Sequence, residues 1–303
     1  MSIYRKVLII GASGYVGRKL FSAMGKERAI ATYHSTPMDG GVRFNALENR
    51  VSDLGEHLNN VSHAVIMLGE TNIDTCFRDR EACDRLNVDC IIRIIKDLVP
   101  YGIVPVFIST DHVFNGRDGN YTETDVATPI VAYGQQKAKV ETFLESNVGS
   151  YCVIRLSKVY GIEPGDKTLF SAWYEAIGDS RPICLAVDQK LTPIYVGDVV
   201  RSIPRLIERN ATGIFHLCGD ESGSREWFFG RLLNIIGSVS GVGLQVERRE
   251  INDLALLEER PIDVTMDSMK VWSYLDSRPT PCLDLIKAMV GNFNALLPTP
   301  PQT

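Results

Sequence analysis

Gly11-Ala12-Ser13-Gly14-Tyr15-Val16-Gly17 stands between an apolar run over residues 6–10 and a helical pattern over 16–24. Three glycines alone are a weak sign. A strand, a tight turn and a helix start inside the first 25 residues form a stronger one, because that order aims unpaired helix N–H groups at a single point. Gly11 permits the turn, Gly14 lets a phosphate approach the backbone, and Gly17 lets the helix lie against the sheet. Such a loop suits the pyrophosphate of a dinucleotide, with Gly11, Ser13, Gly14, Tyr15, Val16 and Gly17 as its contacts.

Outward from this loop, β-branched apolar runs alternate with helix-like segments, the pattern of a parallel sheet with crossover helices. Strands are expected at 6–10, 29–33, 63–68, 104–110, 151–156 and 213–217, and helices at 16–24, 80–98 and 132–145. The fold class is therefore α/β, a doubly wound parallel sheet of the Rossmann type. After residue 160 the alternation loosens around Pro164, Gly165, Pro182 and Pro193, with further helical stretches at 226–236 and 283–297. Residues 1–160 and 194–218 are assigned to the dinucleotide-binding domain. Residues 161–193 and 219–297 are assigned to a smaller C-terminal substrate-binding lobe, and 298–303 to a disordered tail.

The 303 residues are 45% apolar and 23% charged, with 32 Lys and Arg against 37 Asp and Glu, a net charge of −5. That length holds one large domain or two closely joined ones. The acidic balance and the absence of any Lys/Arg run weigh against nucleic acid, and no stretch nears the roughly 20 apolar residues of a membrane-spanning helix. The run after Arg5 and Lys6 ends at Gly11, too soon for a signal peptide, so a cytoplasmic location is expected. Reduced, buried thiols are then expected at Cys76, Cys83, Cys90, Cys152, Cys184, Cys218 and Cys282. The first three recur every seven residues, but no C-x-x-C or partnering His accompanies them, and no metal site is expected.

The second strand runs out through Tyr33-His34-Ser35-Thr36, where an NAD-preferring site places Asp or Glu for the ribose 2′-hydroxyl. His34 and Ser35 leave room for a 2′-phosphate instead. NADPH is the expected cofactor and NADH the alternative, with Arg18 and Lys19 as candidate phosphate cations. Further on, Tyr133-Gly134-Gln135-Gln136-Lys137 puts a phenol and an ammonium four apart at a helix start, on one face. A neighbouring cation lowers a phenol's pKa of about 10 toward a working range, and Lys137 also suits the nicotinamide ribose. Tyr-x-x-x-Lys is common on exposed helices. Here it follows a strand ending Ile108-Ser109-Thr110-Asp111-His112, whose Thr110 hydroxyl sits at the carboxyl end that faces the crevice of a doubly wound sheet.

Seven stretches carry a resemblance that spans nearly the whole chain: G-A-S-G-Y-V-G at 11–17, S-T-D-H-V-F-N-G at 109–116, Y-T-E-T-D at 121–125, P-I-V-A-Y-G-Q-Q-K at 129–137, V-I-R-L-S-K-V-Y-G at 153–161, D-Q-K-L-T-P-I-Y-V-G-D-V at 188–199 and G-I-F-H-L-C-G at 213–219. The chain resembles an extended short-chain dehydrogenase/reductase, and within that superfamily the dTDP-4-dehydrorhamnose reductase group of nucleotide-sugar reductases. The resemblance implies Thr110, Tyr133 and Lys137 as the catalytic trio. It sets Leu68 and Gly69 near the cofactor's ribose, Asn45 near its adenine, and Asn87 in a core or a catalytic role. Glu70, Asp111, His112, Lys158 and Arg260 are the candidate substrate contacts. Lys158 departs from the group, which carries Trp there; pointing inward it would favour a substrate with an anionic group near the keto-bearing ring, and turned toward solvent, the favoured reading for a long cation, it would leave a wider pocket.

These readings imply an NADPH-dependent reductase of a keto-sugar, the 4-keto group of a nucleotide-activated sugar, with a small molecule as partner and a homodimer left open. Two rivals stand beside it. One is an epimerase or dehydratase on the same site, although Asp111 is followed by His112 and not by Glu. The other is a non-catalytic regulatory subunit, the service that a relative of this group gives a methionine adenosyltransferase.

Overall fold

The structure, a computed structural model, describes residues 5–237 and 244–294, so the tail at 298–303 lies outside the described residues. Seven strands form one sheet: β1 (Lys6–Ile10), β2 (Ala29–Tyr33), β3 (Gly41–Arg43), β4 (Val61–Ile66), β5 (Val104–Thr110), β6 (Cys152–Leu156) and β7 (Gly213–Leu217). Their order is β7-β6-β5-β4-β1-β2-β3, and every pair is parallel. The chain leaves β1 toward one edge and returns to continue from β4 toward the other. Between those two strands successive loops diverge, which opens a crevice above their carboxyl ends.

Alternation along each strand divides the apolar side chains between two cores. Val7 and Ile9 face a first core with Val65, Ile108 and Ile154, covered by α1 (Tyr15–Met24) and the helix Val196–Glu208. Leu8 and Ile10 face a second core with Ile66, Phe107 and Val153, covered by Ile91–Leu98 and by α2 (Ala132–Asn147). Burial on both faces explains why the strands read as unbroken apolar runs. A third core gathers Tyr160 of the short strand Val159–Tyr160, Phe170 and Trp173 of the helix Leu169–Gly178, Phe228 and Phe229 of α3 (Arg225–Ile236) and Ile286 of Cys282–Asn294.

Four features differ from the sequence reading. The helix expected at 80–98 is regular only over Arg80–Asp84 and Ile91–Leu98; between them Arg85–Cys90 widens into π-helical turns that hold Asn87. Met269–Tyr274, counted with the C-terminal lobe, packs on the first core through Val271 and Trp272. Cys184 is exposed, not buried, because the short strand Ile183–Ala186 turns it outward, while the other six cysteines are buried. Val196–Glu208 was hidden by Pro204, an unfavourable residue inside a helix. Among the described residues no helix is long and apolar enough to cross a membrane.

Candidate active site

The crevice is a cavity of about 1200 Å³, more than one small ligand needs. One end is made of backbone. Gly11 has φ +88°, and a Cβ there would stand 2.8 Å from the Leu68 nitrogen, so the loops after β1 and β4 touch. Gly17 is equally tight, since a Cβ would come within 2.7 Å of the Ala12 Cα. Gly14 differs. A Cβ there would meet no protein atom closer than the Gly11 oxygen at 3.6 Å, and Gly14 caps α1 without a side-chain hydrogen bond or an acidic residue in the first turn. The protein itself gives no reason for this glycine, whereas an anion seated on the free N–H groups of α1 does. These residues fit a dinucleotide pyrophosphate.

The floor of the same end is the loop after β4. Gly69 (φ +138°) leaves no room for a side chain, as a Cβ would approach the Asn87 Oδ1 to 2.6 Å. Asn87 Oδ1 accepts from the Glu70 N–H at 2.8 Å, and its amide donates to the Glu70 carbonyl at 2.9 Å and to Gln136 Oε1 at 2.7 Å. Fully buried and bound in this way, Asn87 clamps the loop and does not face the cavity.

The other end is made of side chains. Thr110 closes β5, and its hydroxyl donates to Asp111 Oδ1 at 3.0 Å while accepting from the His112 N–H at 3.3 Å. Tyr133 lies in the first turn of α2, buried beside the Thr110 hydroxyl, and Lys137 follows one turn later. Burial pushes the Tyr133 phenol above its ordinary value, the Asp111 charge adds to this, and Thr110 opposes it. The phenol therefore keeps its proton. Lys137 Nζ donates to the Ile108 carbonyl at 2.9 Å and stands 5.8 Å from the Tyr133 ring centroid. Burial brings its ammonium down to about 8, against the pull of Glu141.

Beneath these residues runs a network that the sequence did not reveal. Glu141, on α2, accepts from Ser109 of β5 and pairs with Arg155 of β6 at 2.7 Å, both side chains being 4% exposed. Arg155 reaches His216 of β7 at 3.3 Å, and burial followed by the Arg155 charge pushes that imidazole down to about 3, leaving it neutral. A helix fastened to three strands through one carboxylate has little freedom, which fixes Tyr133 and Lys137 over β5. Arg155 and His216 in the middle of apolar strand runs were the available signal, since buried charges need partners.

Of the expected residues, Gly11, Gly14, Tyr15, Val16, Gly17, Leu68 and Gly69 line the cavity at the backbone end. Thr110, Asp111, His112, Tyr133, Lys137, Lys158 and Arg260 line it at the other. Ser13, His34, Ser35, Asn45 and Glu70 do not line it. His34 and Ser35 are exposed beyond β2, Asn45 Oδ1 accepts from the Leu47 N–H at 3.1 Å, and Glu70 Oε1 accepts from the Asn72 N–H at 2.7 Å. Arg18 donates to the Ser13 carbonyl and Lys19 pairs with Asp166 at 3.2 Å. Lys158 lines the cavity wall and is exposed. Although its surface is open, the surrounding wall and then the Arg225 charge hold its pKa below the usual lysine value. Arg225 and Gln189, also on the wall, were not foreseen.

The family described as RmlD substrate binding domain matches residues 5–293, and the chain belongs to it. It is 26% identical over 235 residues to the methionine adenosyltransferase 2 subunit beta of Bos taurus, covering 72% of this chain and 68% of that one. Identity is also 26%, over 289 residues, to a Haloferax volcanii protein named "Probable low-salt glycan biosynthesis reductase Agl14", covering 90% and 93%. Among solved structures, a hypothetical dTDP-4-dehydrorhamnose reductase from Sulfolobus tokodaii superposes with a TM-score of 0.79 at 26% identity, covering 92% of this chain and 98% of that one.

Proposed function

From membership of that family, we propose that this protein is an NADPH-dependent reductase that converts the 4-keto group of a nucleotide-activated sugar to an alcohol. The observation that carries the reading is the meeting of Thr110, Tyr133 and Lys137 beside a glycine cradle in one cavity. The sheet portion, 1–160 and 194–218, holds the cofactor, and 161–193 with 219–297 holds the sugar and nucleotide. Gly14 and the α1 N-terminus take the pyrophosphate, Leu68 and Gly69 lie near the cofactor's ribose, and Lys137 serves the nicotinamide ribose. The cofactor supplies the hydride for the carbonyl carbon.

The chain's own residues manage the oxygen. Tyr133, kept protonated by burial, donates its proton to the carbonyl oxygen as negative charge develops there. Thr110 donates a hydrogen bond to the same oxygen once its proton turns away from Asp111. Lys137, held on the Ile108 carbonyl, steadies the phenolate that remains.

The bovine relative is named as a subunit of a methionine adenosyltransferase, but a non-catalytic subunit has no need of a phenol, an ammonium and a hydroxyl converging in a cavity. Net loss of NADPH absorbance on adding 4-keto nucleotide sugars tests the proposal. An epimerase or dehydratase returns its hydride and consumes none, and a regulatory subunit turns over nothing; either result refutes the reductase.

A further inference from the structure

Lys158 and Arg225 are two cations on one stretch of cavity wall, and neither has a carboxylate in ion-pair contact among the described residues. Arg260 differs, for Asp74 and Glu258 answer it, and Lys19 is answered by Asp166. Backbone register sets the position of Lys158. Thr110 pairs with Leu156 across β5 and β6, so Lys158, two residues beyond Leu156, emerges beside Asp111 and His112 at the reacting end.

Arg225 is held from another direction. It opens α3 behind the Ser224 cap, its backbone N–H donates to the Gln189 carbonyl at 3.0 Å, and its Nε donates to Gln189 Oε1 at 2.6 Å. Gln189 is itself buried and anchored to the Pro261 carbonyl at 3.4 Å. With Nε pinned, the guanidinium plane is set, and its two terminal nitrogens carry no hydrogen bond to the described protein. That free fork matches the two oxygens of a carboxylate. Two like charges facing one cavity repel; the Asp111 carboxylate on the same wall opposes this through space but forms an ion pair with neither among the described residues, and His112, whose Nδ1 is buried without a partner, also sits there.

We propose that the substrate bears a carboxylate on its keto-sugar ring, gripped by the Arg225 fork and by Lys158, so that the preferred substrate is a nucleotide-linked sugar acid. This rests on the reductase reading above and specifies the substrate of the same site.

The test is calorimetric titration of the NADPH-loaded protein with UDP-glucuronic acid, UDP-glucose and UDP, where the common nucleotide cancels in the comparison. The parent should bind UDP-glucuronic acid at least about tenfold more tightly than UDP-glucose, the size of one charged hydrogen-bond pair. Lys158→Met and Arg225→Gln should each remove most of that ratio while leaving UDP-glucose and UDP within about twofold, and unchanged thermal melting shows that the variants fold. Arg225→Lys, which keeps charge but not the fork, should recover only part of it. A parent ratio near one, or variants that weaken all three probes alike because the cations hold the diphosphate, overturns the carboxylate and leaves the reductase standing. Failure of every probe to bind overturns the sugar-acid proposal, and NADPH consumption with 4-keto nucleotide sugars tests the reductase by itself.

Discussion

The two ends of the cavity are made in different ways. At one, glycines bring backbone close to backbone, and the cations nearby are already engaged, Arg18 by the Ser13 carbonyl and Lys19 by Asp166. At the other, side chains from β5, α2, the segment after β6 and the start of α3 converge, and two cations there make no ion pair among the described residues. A backbone cradle recognises what dinucleotides share, namely phosphates. A convergence of side chains recognises what distinguishes one sugar from another, so chemistry and specificity reside there.

Removing the proton donor at the side-chain end is the strongest way to break this division. Tyr133→Phe should lower kcat by roughly a hundredfold or more, as expected for a lost general acid, while the NADPH dissociation constant stays within about twofold. Stopped-flow turnover and fluorescence titration measure the two quantities. Comparable turnover in the variant would mean that another group supplies the proton.

The backbone end can be probed by two glycines with opposite surroundings. Gly17→Ala drives a Cβ into the Ala12 backbone and should cost about 1–3 kcal/mol of stability, as overpacking does. Gly14→Ala makes only an ordinary contact with the Gly11 oxygen, so it should melt like the parent yet bind NADPH about tenfold more weakly, because the methyl occupies the pyrophosphate's place. Unchanged NADPH affinity in Gly14→Ala would remove the reason given for that glycine.

The same contrast governs what the sequence disclosed. β1, β2, β5 and β7 fall where the apolar runs put them, and the glycine loop is contiguous, so local pattern was enough. Lys158, Arg225 and Gln189 are 31 to 67 residues apart in the chain, and only the closure of the sheet and the docking of α3 put them on one wall. Lys158 is exposed, as a long cation prefers, and its place in the sequence does not disclose that the space it meets is the inside of a large cavity. Asn87 was ambiguous because its role depends on a π-helical turn, whose hydrogen bonding leaves no mark in hydrophobic periodicity.

A smaller effect separates the charge on Lys137 from its mere presence. With its ammonium near 8 in the folded protein, kcat/KM for reduction should be level below about pH 8 and fall above it, and the limb should vanish in Lys137→Met. Unfolding does not imitate this limb. The folded pKa lies below the usual lysine value of 10.5, so between those pH values the unfolded chain binds more protons at this residue and its contribution to stability rises with pH. A pH–rate profile beside thermal melts at each pH resolves the two, and a profile unchanged by Lys137→Met would deny the lysine a charged role.

The smallest change concerns the adenosine side of the backbone end, where no carboxylate follows β2. NADPH should bind more tightly than NADH. Arg43 supports that order, since it pairs in register with Tyr33 across β2 and β3, one residue before His34, and is exposed. Ser35→Asp places a carboxylate where a ribose 2′-hydroxyl finds an acceptor and a 2′-phosphate finds a like charge. Because Ser35 is exposed, water and salt screen much of that repulsion, and the expected loss of NADPH affinity is roughly threefold to tenfold, with a smaller gain for NADH. The order of the two cofactors should thereby reverse, more clearly at low ionic strength. Fluorescence titration of both cofactors with parent and variant measures it. Equal affinities in the parent would show that the missing carboxylate does not select the phosphate, and a variant indifferent to salt would show that charge at this position is not what the cofactor meets.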